Sequence, residues 1–337
     1  MWFRSDLRLD DNDALTSAAT QCSSVLPVYC FDPRDYGRSP QGYDRTGPYR
    51  ASFLIQAVQD LRNRLQSLGS ELVVRIGNPE EVVAELARKV GASTVYCHSE
   101  VTYEEQQVEK RVEEGLKAAG AQLKLFWTNT LHAIDDLPFA LADMPQSFDA
   151  FRASMALITP RSAMPCPDRL QGMPVGSRPV VPVGDIPTLK DLGLHHPVSS
   201  SSSCSSEGAA LDTNKCIGGE TEGLKQMRFF LTSASGTSTS SASGSSHANS
   251  FSTNIAPWLA TGCLSPRRML QEAQAVFNTT GTTTTDTRTK SSLQWIEFEL
   301  LWRDFFRLLT RKHAEVVLPK IRQAALKAPA NHELTLA

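Results

Sequence analysis

The chain has 337 residues, room for two domains that each bury a core, and sets 34 Lys+Arg against 36 Asp+Glu for a formal charge of -2. That balance excludes a global basic field for nucleic acid, so any such contact is local. Seven scattered cysteines without a C-x-x-C pair exclude a disulfide framework or zinc module and imply a reduced intracellular setting. No metal site is expected. No run reaches the roughly 20 apolar residues of a membrane span, and Trp2-Phe3-Arg4 follows Met1 with no signal or transit segment.

Residues 1–130 alternate short apolar runs with amphipathic patterns, the signature of βα units on a parallel sheet. Five strands are predicted: Trp2-Phe3, Ser24 to Phe31, Leu72 to Ile76, Thr94 to His98 and Gln122 to Trp127. Helices are predicted between them at Ala14 to Thr20, Tyr49 to Leu68, Pro79 to Val90 and Tyr103 to Ala119. The last three end near Gly69, Gly91 and Gly120, residues suited to a left-handed helix exit. The pattern specifies a Rossmann-like, five-stranded parallel domain whose strand carboxyl ends form a ligand crevice. Arg4-Ser5-Asp6-Leu7-Arg8 stands where a G-x-G-x-x-G turn would, which disfavours NAD bound in the usual manner. The first strand supplies few apolar residues for a buried parallel strand, so the start reads as clipped.

Residues 131–215 read as an irregular, Pro-rich connector containing a nearly pure serine tract from Ser199 to Ser206. Helices then follow at Thr221 to Leu231, Pro266 to Phe277 and Ser292 to Lys312, interrupted by Ser/Thr-rich tracts at Thr232 to Ser246 and Thr279 to Thr287. Residues 216–312 are thus an incomplete all-α domain, and 313–337 an atypical tail. In the last helix Glu299, Trp302, Arg303 and Phe306 share one face, with Trp295 a turn earlier. Ile296, Phe298, Leu301, Phe305, Leu308 and Leu309 occupy the rest, so the helix is expected to be buried nearly all round. Two readings stand: a core helix with an internal Glu299/Arg303 pair, or the wall of a site.

Several strings point to one family: Trp2 to Arg8 followed by Asp10, Asn12, Ala14 and Leu15; Ala256-Pro257-Trp258-Leu259-Ala260-Thr261-Gly262-Cys263-Leu264-Ser265-Pro266-Arg267; and Glu299 to Phe306. Together they resemble the photolyase/cryptochrome family. Thr46 to Leu54, Thr128 to Phe139 and Gly218-Gly219-Glu220-Thr221 are similar to its DASH branch. The resemblance implies an α/β domain followed by a helical FAD-binding domain. It also implies blue-light-driven electron transfer from reduced FAD to cyclobutane pyrimidine dimers, chiefly in single-stranded DNA, where flipping a base is cheap. A photoreceptor without repair activity, or an α/β pterin- or nucleotide-binding remnant, are the alternatives.

By that resemblance Glu299 and Trp302 are the catalytic pair. Glu299 would hydrogen-bond the lesion, and Trp302 would stack on the flipped dimer. Arg303 lies on the flavin-facing side, while Trp295 and Phe306 read as core. Ser252, Thr253, Asn254, Ile255 and Ala256 match the loop holding the FAD pyrophosphate, although by themselves Ser-Thr-Asn form an ordinary helix N-cap. Asn254 stands where DASH relatives often carry a basic residue, Ala256 replaces a serine, and no tyrosine occurs from 232 to 248. Glu105 matches the carboxylate that holds a methenyltetrahydrofolate antenna; by itself it belongs to a solvated helix with Glu104, Glu109, Glu113 and Glu114. The chain stops where the family continues, so weak FAD binding by a partial product is expected. A DNA-binding monomer away from membranes is implied, with a plastid or mitochondrial location open.

Overall fold

The computed structural model describes residues 1–38, 42–174, 181–194, 216–234, 255–279 and 287–317. Strands β1 (Trp2–Phe3), β2 (Val28–Phe31), β3 (Val73–Ile76), β4 (Thr94–His98) and β5 (Gln122–Phe126) form one parallel sheet in the order β3-β2-β1-β4-β5. The second strand is shorter than its apolar run. Pro27 has no N–H for a ladder and serves only as an acceptor, for Val73 N.

Helices α1 (Asp13–Gln21), α3 (Pro48–Ser67), α4 (Pro79–Val90) and α5 (Tyr103–Ala118) connect the strands, with the short α2 (Pro33–Tyr36) after β2. Their starts follow local chemistry. Asn12 caps α1 by accepting from Leu15 N, and α3 and α4 open on proline, whose missing N–H would be unpaired there. Gly91 ends α4 at φ 64°, the left-handed exit that its sequence position predicted.

The connector is irregular but closely held. Val74 N donates to Val183 O at 2.8 Å, and Arg62 and Arg75 donate to carbonyls of residues 182–184, so this segment covers the β3 edge of the sheet. It also contains a helix that the sequence reading omitted, α6 (Phe148–Met155), capped by Ser147 and burying Phe151 and Met155. The Ser147 cap and the Phe148/Phe151/Met155 spacing were its signal. The serine tract lies outside the described residues.

The C-terminal helices are α7 (Glu220–Ala234), the short α8 (Ala256–Ala260), α9 (Pro266–Thr279) and α10 (Thr287–Lys312), with a π-turn at His313–Val317. Trp258 of α8 is buried against Phe53 of α3, ring centroids 5.5 Å apart, so one core runs from the sheet into the helices.

The loop after β1 stitches these parts together. Arg8, 1% exposed, donates to Asn129 Oδ1 and to the carbonyls of Asp10, Asp11, Thr128 and Gly262. Arg267 holds Asp11 bidentately at 2.7 and 2.9 Å, and Arg268 holds Asp10 at 2.6 and 2.7 Å. Glu220 accepts from Leu9 N and Asp10 N and pairs with Arg64. At Gly262 (φ 70°) any Cβ would overlap the Ser5 carbonyl oxygen. Gly262→Ala is therefore expected to cost more than the roughly 1–2 kcal/mol of left-handed strain alone, read as a lower urea midpoint.

Candidate functional site

Helix α10 lies across the carboxyl ends of β4 and β5 and has two unlike sides. The inner side is polar and locked. Asp304, fully buried, accepts from Leu131 N at 2.7 Å and His132 N at 3.2 Å, and Arg307 stands 3.5 Å from the buried Glu100 carboxylate. Arg311 donates to Ser99 Oγ and Glu100 O and lies over the Trp127 ring. Burial raises the pKa of Asp304 and of Glu100 to about 7 in each case, against the opposing pull of Arg303 and Arg4 respectively and of Arg307.

Arg303 joins this inner side. Its guanidinium donates to Asn129 O at 2.5 Å and Leu259 O at 2.9 Å, tying α10 to the loop after β5 and to α8. Among the described residues Arg303 forms no ion pair with Glu299; its ion-pair partner is Asp304, at 3.8 Å. The first reading of the helix, an internal pair, is not what the structure holds.

The outer side departs from the expectation of burial all round. Trp302 is 40% and Phe306 46% exposed, so Phe306 is a surface aromatic and not core. The stripe stands up because its rings support one another. Trp302 packs edge-on to Phe148 at 4.7 Å and to Phe306 at 5.1 Å, and stacks on Phe298 at 5.9 Å. Glu299, half-buried one turn before Trp302, has no hydrogen-bond partner among the described residues. Partial desolvation raises its pKa, which favours a carboxyl that holds a proton. Trp295 packs partly buried beside Phe230.

Of the expected flavin loop, Ser252, Thr253 and Asn254 lie outside the described residues. Ile255 is buried in the core, and Ala256 opens α8.

A second site lies at the sheet's topological switch, between the diverging β1 and β4, where open α/β sheets bind ligands. A cleft of about 710 Å³ is walled by Arg4 and Ser5 after β1, Asp32 and Asp35 after β2, Glu100 after β4, and Glu105 on α5. Glu105 Oε2 accepts from Thr102 N at 3.0 Å and Thr102 Oγ1 at 2.7 Å, completing a capping box. The solvated-helix reading holds only in part. Glu109 is 5% exposed, paired with Arg4, and accepts from Glu100 N at 2.8 Å. Sequence reasoning missed Glu100, Glu109, Asp304 and Arg307. Asp304 and Arg307 were signalled by charge inside an otherwise apolar helix, whereas Glu109 sits in a charge-rich one and carried no such signal. Among the described residues no group of three His, Cys, Asp or Glu could hold a metal, and six cysteines are free.

Comparison with known proteins agrees with this architecture. The DNA photolyase family model matches residues 1–168. "Blue-light photoreceptor PHR2" of Arabidopsis thaliana is 43% identical over 93% of this chain and 69% of that protein. The chain belongs to the photolyase/cryptochrome family. "Cryptochrome DASH" of Gloeobacter violaceus is 39% identical over 94% of the chain and 59% of its own length. The solved Synechocystis cryptochrome aligns with a TM-score of 0.75 at 34% identity, covering 93% of this chain and 61% of that one. The α/β-plus-helical architecture is therefore that of the family, and the chain spans about three fifths of these two cryptochromes. No described helix is long and apolar enough to cross a membrane.

Proposed function

We propose that this chain is a DASH-type flavoprotein in which blue light drives electron transfer from reduced FAD to a cyclobutane pyrimidine dimer in single-stranded DNA. The observation that carries the reading is the Glu299–Trp302 pair. An unpartnered carboxyl with a raised pKa and an exposed, braced indole stand one turn apart on the outer side of α10. FAD, when bound, would supply the excited-state electron. The described residues fit the lesion side better than the flavin side, since Ile255 is buried and Arg303 already serves two backbone carbonyls. Trp302 would stack on the flipped pyrimidines, a contact that needs no particular base. Glu299, whose pKa is raised by partial desolvation, would in its protonated form donate a hydrogen bond to a pyrimidine carbonyl as negative charge builds there.

The test is a blue-light repair assay on a thymine dimer in a single-stranded oligonucleotide, with flavin content measured by absorbance. Glu299→Ala is expected to lower repair about 10- to 150-fold, the worth of a hydrogen bond to a charged group, with the urea midpoint unchanged. No repair by the unmodified chain with flavin fully bound would sink the lyase reading. The likeness to a protein named a blue-light photoreceptor supports a second reading, light sensing without repair, and that same result would select it.

The cleft at the switch point would hold a methenyltetrahydrofolate antenna, with Glu105 accepting N–H donors from the pterin through the oxygen its capping box leaves over. Glu105→Gln preserves the capping box, because glutamine fills the same role. Pterin absorbance should therefore be lost without loss of helix content. Unchanged pterin binding would return Glu105 to a purely capping role.

A further inference from the structure

On the far side of α10 from Glu299 and Trp302 is a groove of about 690 Å³, within the size range of small-molecule sites. At 3.6 residues per turn, Glu297 and Leu301 face it while the Glu299–Trp302 stripe faces away. It is thus separate from both sites above.

Three helices contribute to the groove in the same manner. Each provides an apolar and a polar residue: Met155 and Arg152 from α6, Leu270 and Gln274 from α9, Leu301 and Glu297 from α10. The spacings of three or four put both members of each pair on one helix face. The result is an apolar base under a polar rim. Gln274 and Glu297 bring an amide and a carboxyl to the same groove.

The floor is rigid. Asp304 clamps the backbone of Leu131 and His132, and Thr130 Oγ1 donates to His132 O at 2.5 Å while accepting from Trp127 Nε1 at 2.7 Å. The His132 imidazole, 5% exposed, stays neutral because burial pushes its pKa down to about 4. Asp149 and Glu297 oppose Arg152 alone on the rim, which disfavours an anionic ligand.

We propose that this groove binds an uncharged, planar heterocycle of nucleobase or nucleoside size. Its ring would pack on Leu270 and Leu301, and its donor and acceptor edge would be read by Gln274, Glu297 and Arg152. An amide, a carboxyl and a guanidinium together can satisfy an edge that mixes N–H and C=O groups, whereas a purely apolar ligand would leave them unpaired.

The test is a fluorescence titration with 2-aminopurine riboside, run on the whole chain. Saturable binding is expected, no tighter for the 5′-monophosphate. Ala153→Trp, at an exposed α6 position lining the groove, should weaken it at least roughly tenfold by filling the space. Gln274→Ala should weaken it about tenfold by removing one hydrogen bond from the rim. Trp302→Ala and Glu105→Gln should leave it unchanged. No saturable binding up to about 1 mM, tighter binding of the monophosphate, or equal affinity in Ala153→Trp would overturn the proposal. So would loss of binding in Trp302→Ala or Glu105→Gln, by moving the nucleoside to the outer stripe or to the cleft.

Discussion

Asp11→Ala lowers the stability of the folded chain by about 3–5 kcal/mol, the usual cost of leaving one partner of a buried ion pair alone. Asp11 is fully buried and accepts from Arg267 twice, from Ser265 Oγ and from Met164 N. Its removal leaves a guanidinium that is only 4% exposed without its main counter-charge, with only Asp13, at 3.0 Å, in partial compensation. The measurement is the urea unfolding midpoint. Since total stabilities run to about 5–15 kcal/mol, the variant is expected to be marginal. The double variant Asp11→Ala/Arg267→Met therefore carries the decisive comparison. It should recover much of the loss, because replacing both charges by apolar groups removes the uncompensated desolvation. A single-variant loss below about 1 kcal/mol would show that the pair is solvated and that the seam does not depend on it.

Trp302→Ala is expected to weaken binding of a single-stranded oligonucleotide carrying a thymine dimer roughly 5- to 150-fold. This corresponds to the 1–3 kcal/mol typical of one base-aromatic stack. The change should leave the fold nearly intact, because the indole is 40% exposed and Phe148, Phe298 and Phe306 retain contacts with one another or with Phe305. Flavin content is the control. Equal loss of flavin and of lesion binding would move Trp302 from the substrate to the cofactor, and unchanged lesion binding would remove it from the site.

The two substitutions probe different uses of one set of sequence strings. Trp2 to Asp13, Ala256 to Arg267 and Glu299 to Phe306 are far apart in the chain and together carry the family resemblance. In the structure most of their charged residues turn inward, toward the seam between sheet and helices: Arg8, Asp10, Asp11, Arg267, Arg303 and Asp304 all bond across it. Among the described residues expected as catalytic or flavin contacts, Glu299 and Trp302 stand on the outer stripe. A charged residue in an apolar pattern announced that something unusual was buried. It did not announce whether its partner would be a ligand or another loop.

The α/β half was legible because its signals are local. Short apolar runs, helical periodicity, proline at helix starts and glycine at exits fix elements from neighbours in the chain. The five strands and helices α1, α3, α4 and α5 accordingly fell within a few residues of expectation, whereas the short α2 was not predicted. α6 was missed because a proline-rich setting masked a single two-turn amphipathic pattern. The connector's role as cover for the β3 edge had no local signature, since it depends on hydrogen bonds from the Val74 amide and the Arg75 side chain to carbonyls more than 100 residues away.

The sequence by itself determined the parallel βα pattern, the helical nature of the C-terminal pieces and, through three separated strings, the family. Only the tertiary structure decided which side of α10 each residue occupies. Helical spacing groups Glu299, Trp302, Arg303 and Phe306 on one broad face, but it cannot say where the neighbouring elements cut across that face. Packing against the sheet ends drew Arg303 to the carbonyls of Asn129 and Leu259 and left Trp302 and Phe306 toward solvent. The physical reason is that a guanidinium lowers its burial cost by finding carbonyl acceptors, and these were supplied by α8, 44 residues away, and by the loop after β5, 174 residues away.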